Sequence, residues 1–246
     1  MDKSLYVAMT GASATLRSQT ALSQNIANIS TSGFKALLTQ TDAFKVEGSG
    51  MPTRTDAVPG AEDFDHRMGP LMTTGNELDV ALQEGHWLAV QDDQGGEAYT
   101  RFGELEVSAN GVLMTKSGRP LLGQDGPLTV PPFDKLTIGN DGTVSIVPQG
   151  QSAQTLAQVG RLRVVSEEGA EFKRGLDGLM RRADGQAAPP SAGDVVMTGV
   201  IEGSNVNAAQ SLVDMIALSR SFEMQVRSIK TADENARASA SLLRLS

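Results

Sequence analysis

Apolar residues recur at helical spacing near the C-terminus of this chain. One seam has an apolar residue at every seventh position, namely at Met215, Phe222, Ile229, Ala236 and Leu243. A second seam includes Leu212, Val226 and Ala240, and Ser219 and Asp233 interrupt it. A sustained seven-residue period is typical of a helix that packs along a partner helix. The pattern therefore predicts a long C-terminal helix with an apolar face.

The N-terminal segment shows a similar pattern. Its apolar residues fall on two seven-residue tracks, one with Leu5, Ala12 and Ile26 and the other with Met9 and Leu16. We expect a helix over residues 3–29 that is ended by residues 30–33, with Gly33 in the left-handed conformation. Because its intrinsic helix propensity is mediocre, this helix depends on packing. Two such helices around a β-like middle predict that the termini pack together and serve assembly.

The C-terminal helix is long for a chain of 246 residues. Asn207 is predicted to cap its first turn, with Gln210 three residues later as in a capping box. From there the pattern runs to about residue 244, which corresponds to ~57 Å at 1.5 Å per residue. Apolar residues at this spacing often lie on the core of their own domain. The length nevertheless favours packing between subunits, because such a helix exceeds the width of a small globule.

The middle of the chain is predicted to be β structure. Asn110–Gly111, Asp125–Gly126 and Asp141–Gly142 are dipeptides that favour tight turns. The predicted strands are Leu78–Leu82, Trp87–Gln91, Leu105–Ser108, Val112–Lys116, Leu136–Ile138, Val144–Val147 and Arg161–Val165. Short strands at this spacing predict a small antiparallel sandwich or barrel-like domain over residues 76–175.

The two segments that flank this region contain several prolines and glycines. Residues 34–75 are predicted to be extended and irregular, since Pro52, Pro59 and Pro70 interrupt them. Residues 176–204 are predicted to be irregular as well, apart from one strand over Val195–Ile201.

The chain has few residues suited to catalysis or metal binding. It has no cysteine, and its two histidines, His66 and His86, match no metal-ligand spacing. Neither a G-x-S-x-G nucleophile motif nor an EF-hand calcium loop is present. Turn formation accounts for the aspartates beside glycines. We therefore expect no catalytic residue, no cofactor and no metal.

Charge and hydropathy also limit the partners. The 21 basic and 29 acidic residues give a net charge of -8, which argues against nucleic acid, whose binding needs a basic surface. No run approaches ~18 apolar residues, so we expect no direct membrane span. The N-terminus lacks the continuous apolar stretch of a secretory signal peptide, so we expect export by a route without a cleaved signal.

Four motifs resemble those of flagellar rod and hook proteins. Leu22–Lys35 (LSQNIANISTSGFK) is similar to the N-terminal signature of that family, A-x-N-[LI]-A-N-x-x-T-x-G-[FY]-K. Thr74–Ala81 (TGNELDVA) resembles the start of the family's middle domain, and Tyr99–Gly103 (YTRFG) resembles its hairpin region. Glu202–Asn207 (EGSNVN) and the helix after it resemble the C-terminal motif. The motifs keep the family's order and spacing over nearly the whole chain.

The resemblance implies a structural subunit of the bacterial flagellar basal-body rod, without enzymatic activity. The implied fold is α+β, with a helical assembly domain formed by residues 1–33 and 204–246. A β-rich connector would comprise residues 34–75 and 176–203, and an outer antiparallel β-domain residues 76–175. Subunits would stack as a helical tube in the periplasm, with the terminal helices as nested coiled coils. The tube would transmit motor torque to the hook and filament.

The resemblance also implies the partners. These are further copies of the chain, other rod proteins, the flagellar type III export apparatus and the surrounding ring proteins. The length and the opening residues Met1–Tyr6 resemble proximal rod proteins most, and a distal rod protein or another axial, hook-type protein is the alternative. The predicted assembly interface consists of ten apolar helix residues: Leu5, Met9, Leu16, Ile26, Leu212, Met215, Phe222, Val226, Ile229 and Leu243.

Two other classes of function stay open. A hydrolase acting on the cell wall would need a pair of carboxylates in a cleft, and no paired acidic motif with suitable surroundings is visible. A soluble export chaperone or adaptor would be a stable folded monomer, which sedimentation and circular dichroism would reveal.

Overall fold

The computed structural model describes residues 3–45, 55–151, 155–168 and 171–243. This part of the chain is α+β, with one helix near each end and sixteen strands between them, and the strands pair antiparallel. The helices are α1 (Lys3–Ala27) and α2 (Ala208–Leu243). The strands are β1 (Leu37–Lys45), β2 (Thr55–Phe64), β3 (Leu71–Thr73), β4 (Val80–Leu82), β5 (His86–Gln91), β6 (Glu97–Thr100), β7 (Leu105–Val107), β8 (Leu113–Thr115), β9 (Phe133–Ile138), β10 (Thr143–Pro148), β11 (Ala157–Arg161), β12 (Val164–Ser166), β13 (Phe172–Arg174), β14 (Met180–Arg182), β15 (Val196–Thr198) and β16 (Val200–Glu202).

The chain divides into two compact units. The helical unit contains residues 1–29, 36–65 and 206–246, and the β unit contains residues 30–35 and 66–205. The three-part division into helical domain, connector and outer domain is a different partition, and it remains a prediction.

In the helical unit, α1 packs along α2 and contacts the β1–β2 hairpin. The two strands pair from Leu37 opposite Phe64 to Lys45 opposite Thr55. The expectation of irregular structure over residues 34–75 was therefore wrong for most of this segment. Pro59, which suggested a break, lies opposite Thr41 beside a register shift, where a strand tolerates a proline.

Asn25 fixes the start of this hairpin. The Asn25 side-chain amide donates to the Leu37 carbonyl at 3.0 Å, and its carbonyl oxygen accepts from the Leu37 backbone N–H at 2.8 Å. Asn25 is buried, so these two bonds satisfy polar atoms that water cannot reach. The first asparagine of the N-terminal signature thus joins α1 to β1.

The helix ends agree only in part with the sequence. The α1 helix ends at Ala27, so Gly33 has the predicted positive φ of 67° but does not cap the helix. At the start of α2, the Asn207 side chain accepts from the Gln210 backbone N–H at 3.1 Å, as predicted. The side chain of Gln210 donates to Asp214 instead of completing a capping box.

The β unit is built from short sheets around one apolar core. The largest sheet has the strand order β12–β5–β6–β14–β13, and a three-stranded sheet has the order β11–β10–β9. The hairpins predicted around Asn110–Gly111 and Asp141–Gly142 are confirmed as β7–β8 and β9–β10. Side chains from both sheets meet in the core, which includes Leu88, Val90, Ile146 and Val164.

Two predicted strands are each divided in the structure. The segment Arg161–Val165 changes partner, because β11 pairs with β10 and β12 pairs with β5. The segment Val195–Ile201 contains β15, which pairs with β4, and β16, which pairs with β3. Gly199 separates them with a φ of 73°, a backbone conformation that an extended strand does not adopt.

Candidate assembly surface and buried ion cluster

The structure places the ten predicted interface residues in three environments. Met9, Leu16 and Leu212 are exposed. The half-buried residues are Leu5, Ile26, Met215, Phe222, Val226 and Ile229. Leu243 is the last residue of α2, and its side chain lies outside the described part of the chain. Their contacts with other molecules remain a prediction.

The half-buried residues of α2 lie on one side of the helix. That side also carries Gln225, whose side chain hydrogen-bonds to Thr15 of α1. Gly11 of α1 lies near the same side chain, since a Cβ there would be 3.2 Å from the Gln225 amide nitrogen. The predicted packing of the chain's own terminal helices is therefore present, and it uses part of the heptad seam.

A second apolar face lies roughly opposite the first on α2. It consists of Leu212, Val213, Ile216 and Met224, each between 54% and 62% exposed. At ~100° per residue, these four side chains fall within an arc of about 120°. We name this set the outer face. A helix that is apolar on two sides is typical of one covered from two directions.

Most of the outer face was not predicted from the sequence. Of the four outer-face residues, only Leu212 was part of the predicted interface. A search for apolar residues at every seventh position selects one side of α2 and leaves out residues on another side. The signal was present in the spacing of Val213, Ile216 and Met224, which recur at i, i+3 and i+11. Two exposed charged residues, Arg220 and Glu223, lie on the same side between Ile216 and Met224, and Arg227 continues the charge beyond Met224. The outer face is therefore restricted to the first half of α2.

A buried cluster of charges lies in the β unit. Glu202, Arg101 and Lys35 are 1%, 3% and 6% exposed. One oxygen of the Glu202 carboxylate accepts from Lys35 Nζ at 3.0 Å and from the Gly69 backbone N–H at 2.9 Å. The other oxygen accepts from Arg101 Nε at 2.6 Å, and Arg101 Nη2 lies at the same distance from it. We call Lys35, Arg101 and Glu202 the ion cluster.

Backbone carbonyls complete the ion cluster. Arg101 also donates to the carbonyls of Gln83, His86 and Leu82 at 2.6–3.1 Å. Lys35 Nζ donates to the carbonyls of residues 66 and 67 at 3.3 and 2.7 Å. Two cations face one carboxylate, so these carbonyl dipoles supply the remaining negative potential. Buried charges are tolerated when they are paired and hydrogen-bonded in this way.

Two glycines that lie near members of the ion cluster in the chain are close to other backbone. A Cβ on Gly33, which has positive φ, would overlap the Arg101 carbonyl oxygen. A Cβ on Gly103, two residues after Arg101, would overlap the Val80 carbonyl oxygen. Side chains are therefore excluded at both positions.

Three of the motifs quoted from the sequence meet at this cluster. Lys35 ends the N-terminal signature, Arg101 is the arginine of YTRFG, and Glu202 opens the C-terminal motif. Each of the three residues was interpreted as part of a separate motif, and their association was not predicted, because nothing in the local sequence indicates contact between residues 35 and 202.

Ser32 and Lys116 contact a second carboxylate beside this region. Ser32 Oγ donates to Glu104 Oε1 at 2.6 Å, and Lys116 Nζ donates to Glu104 Oε2 at 2.9 Å. The hydrogen bond from Ser32, followed by that from Lys116, lowers the pKa of Glu104 below its ordinary value of 4.5. Glu104 therefore favours its ionised form in the folded protein.

Among the described residues, His, Asp and Glu side chains form no group of three that could hold a metal ion. No helix of the described chain is both long and apolar enough to cross a membrane.

The fold defines an α+β protein whose terminal helices expose apolar surfaces suited to assembly, and comparisons with known proteins agree with such a role. Three protein-family models match: "Flagella basal body rod protein" at residues 5–35, "Flagellar hook protein FlgE/F/G D1 domain" at residues 81–146 and "Flagellar basal body rod FlgEFG protein C-terminal" at residues 197–242.

Curated relatives match along the whole chain. The flagellar basal-body rod proteins FlgF of Escherichia coli (strain K12) and Salmonella typhimurium (strain LT2) are 44% and 43% identical, with all of both chains covered. The flagellar basal-body rod protein FlgG of Buchnera aphidicola (subsp. Schizaphis graminum) is 31% identical over 95% of this chain and 97% of its own. The chain belongs to the flagellar basal-body rod protein family, which confirms the resemblance, and it is more similar to these FlgF proteins than to this FlgG. Its relatives are structural proteins of the flagellum.

Proposed function

We propose that the chain is a subunit of the proximal part of the flagellar rod, and that it assembles with its own copies and other rod proteins into a helical tube in the periplasm. The tube transmits motor torque to the hook and filament. The 43–44% identity to two FlgF proteins supports the proximal position over the distal one. The family also supports passage through the flagellar type III export apparatus and contact with surrounding ring proteins.

The outer face of α2 is the observation that carries this proposal. The α1 helix covers one apolar side of α2, and Leu212, Val213 and Ile216 of the outer face still lie in water. These three residues lie next to one another on α2, and exposed apolar residues that cluster within a polar rim often mark interaction sites. In the proposed tube, helices of neighbouring subunits cover the outer face, which makes α1 and α2 part of a multi-stranded coiled coil.

The N-terminal helix offers a smaller exposed set for the same purpose. Tyr6, Met9 and Leu16 are exposed on α1. On α2, a surface groove runs beside the half-buried Phe222 and Val226, with Glu223, Arg227 and Lys230 as its other walls. A neighbouring helix seated there would complete the burial of Phe222 and Val226, and its polar side could pair with the groove's charges.

Cryo-electron microscopy of isolated basal bodies tests the proposal. We expect this chain in the proximal rod, with α1 and α2 innermost and with Val213, Ile216 and Met224 in contact with other subunits. An outer face that stays open to solvent in the assembled rod would contradict the proposed packing. Absence of the chain from the rod would contradict the proposed function.

A further inference from the structure

The chain passes between its two units at four places. These are the junctions 29/30, 35/36, 65/66 and 205/206. Any force that travels along the backbone from one unit to the other must cross them. On the side of the β unit, the four junctions lead into three short segments, residues 30–35, 66–69 and 202–205.

The three segments are bonded to one another inside the β unit. The Gly33 N–H donates to the Glu202 backbone carbonyl at 2.7 Å, and the Asn205 N–H donates to the Phe34 carbonyl at 3.3 Å. The Asn205 side chain donates to the carbonyl of residue 67 at 3.0 Å. Lys35 Nζ and the Gly69 N–H add the bonds to Glu202 and to residues 66 and 67 described above.

We propose that Lys35, Arg101 and Glu202 are positioning residues of a mechanical clasp, a bonded group that resists force, joins the chain segments at all four junctions and anchors them to the β unit. This inference rests on the proposed role in torque transmission. Arg101 provides the anchor, because its guanidinium binds Glu202 and three carbonyls next to strands β4 and β5. A load on any one junction is then shared by all three segments.

Buried charges suit this task. Pulling the segments apart would separate Glu202 from Lys35 and Arg101 while all three are shielded from water. An unpaired buried charge is strongly unfavourable. The free energy therefore rises as soon as Glu202 begins to move away from the two cations. Apolar contacts are non-directional and can slide past one another, whereas these bonds fix both distance and direction.

Single-molecule pulling on the full chain tests the clasp. The sequence has no cysteine, so Ser30→Cys and Ala209→Cys provide two unique attachment points at exposed positions. Force between these points loads the segments 30–35 and 202–205. We expect Glu202→Gln to shorten the lifetime of the first rupture under constant force by roughly 100-fold, as for loss of a buried ion pair. Complete unfolding of the chain between the attachment points would extend it by about 600 Å. This large extension distinguishes the later unfolding of the β unit from the first rupture.

Ile146→Ala is the matched control. Ile146 is buried in β10, so its truncation lowers the stability of the β unit without touching the clasp. We expect the thermal midpoint of the β unit to fall and the lifetime of the first rupture to stay unchanged. Equal shortening by Ile146→Ala and Glu202→Gln would overturn the clasp, because the core would then carry the load. An unchanged lifetime in Glu202→Gln would overturn it too.

A second variant decides the matter if Glu202→Gln does not fold. Arg101→Lys keeps the positive charge but removes the fork that reaches Glu202 and the carbonyls together. We expect it to shorten the first-rupture lifetime while Ile146→Ala does not, and the absence of that difference would refute the clasp. These measurements use isolated subunits, so their outcome is independent of whether the chain is found in the proximal rod.

Discussion

Replacing Ile216 by aspartate should block assembly and leave the subunit folded. Fully burying a large aliphatic side chain contributes ~1.5–3 kcal/mol. The four residues of the outer face are 54–62% exposed. Covering them in an assembly would therefore contribute about 1–1.5 kcal/mol each, or about 4–6 kcal/mol in total before ordering costs. The outer face alone can thus supply a substantial part of one intersubunit contact.

The substitution Ile216→Asp removes about 1 kcal/mol of the free energy that burial of the outer face contributes. It also adds the cost of burying an unpaired carboxylate in the intersubunit contact. Together these amount to about 4 kcal/mol, or roughly a 1,000-fold weaker contact. In the free subunit, Ile216 is exposed, so its replacement should change the free energy of unfolding by only about 0.5 kcal/mol.

The assay is complementation of a strain that lacks the gene, followed by immunoblotting of isolated basal bodies. We expect little or no Ile216→Asp protein in them and a normal circular dichroism melting curve for the purified variant. Thr231→Asp introduces the same side chain at an exposed polar position of α2 that belongs neither to the outer face nor to the groove, and it should incorporate. Wild-type amounts of Ile216→Asp in basal bodies would refute the reasoning, and so would equal exclusion of Thr231→Asp.

Three further outcomes follow from the contacts in each unit. Asn25→Ala removes both bonds to Leu37, which should cost about 1–3 kcal/mol and show as faster hydrogen exchange in β1; unchanged exchange there would contradict the role of Asn25. Phe222→Ala should weaken the packing of α1 on α2 by about 2 kcal/mol, so that the helical unit melts earlier while the β unit is unaffected, and should reduce incorporation. Because the pKa of Glu104 is lowered in the folded protein, its contribution to stability is complete above the ordinary value of 4.5 and is lost as the pH falls through the depressed value. The thermal midpoint should therefore drop on acidification below about pH 4.5, and Glu104→Gln should drop less steeply.

The sequence was informative where structure depends on neighbouring residues. Asn207 started α2 as predicted, and the Asn-Gly and Asp-Gly dipeptides marked two real hairpins, because capping and tight turns are local. The β1–β2 hairpin was not predicted, because most of its side chains are exposed on both faces. Its strands therefore lack the alternation of apolar and polar residues by which strands are recognised in a sequence. The divided strands at Leu162 and Gly199 reflect a change of partner, which depends on the sheet rather than on the strand.

The sites were harder to predict because they depend on packing. The heptad pattern identified α2 as an interface helix, but it could not tell which apolar residues α1 already covers. Only the structure separates Met215 and Phe222, which lie on the inner side, from Val213 and Ile216 on the outer face. The ion cluster was not predictable in principle from local pattern, because its members are far apart in the chain and each lies in a polar motif.

The composition of the ion cluster bears on its role. Replacing a buried ion group by apolar side chains of similar size is often neutral or stabilising, so stability alone does not require Lys35, Arg101 and Glu202. An apolar substitute could, however, pack in several registers, whereas a carboxylate fixed by two cations and the Gly69 N–H has one arrangement that satisfies every donor. A subunit whose helices must meet those of its neighbours needs the chain segments beside those helices in a single arrangement. The buried charges specify that arrangement, and a fully apolar triple variant of the cluster should therefore remain folded yet lose the mechanical lifetime that the three charges provide.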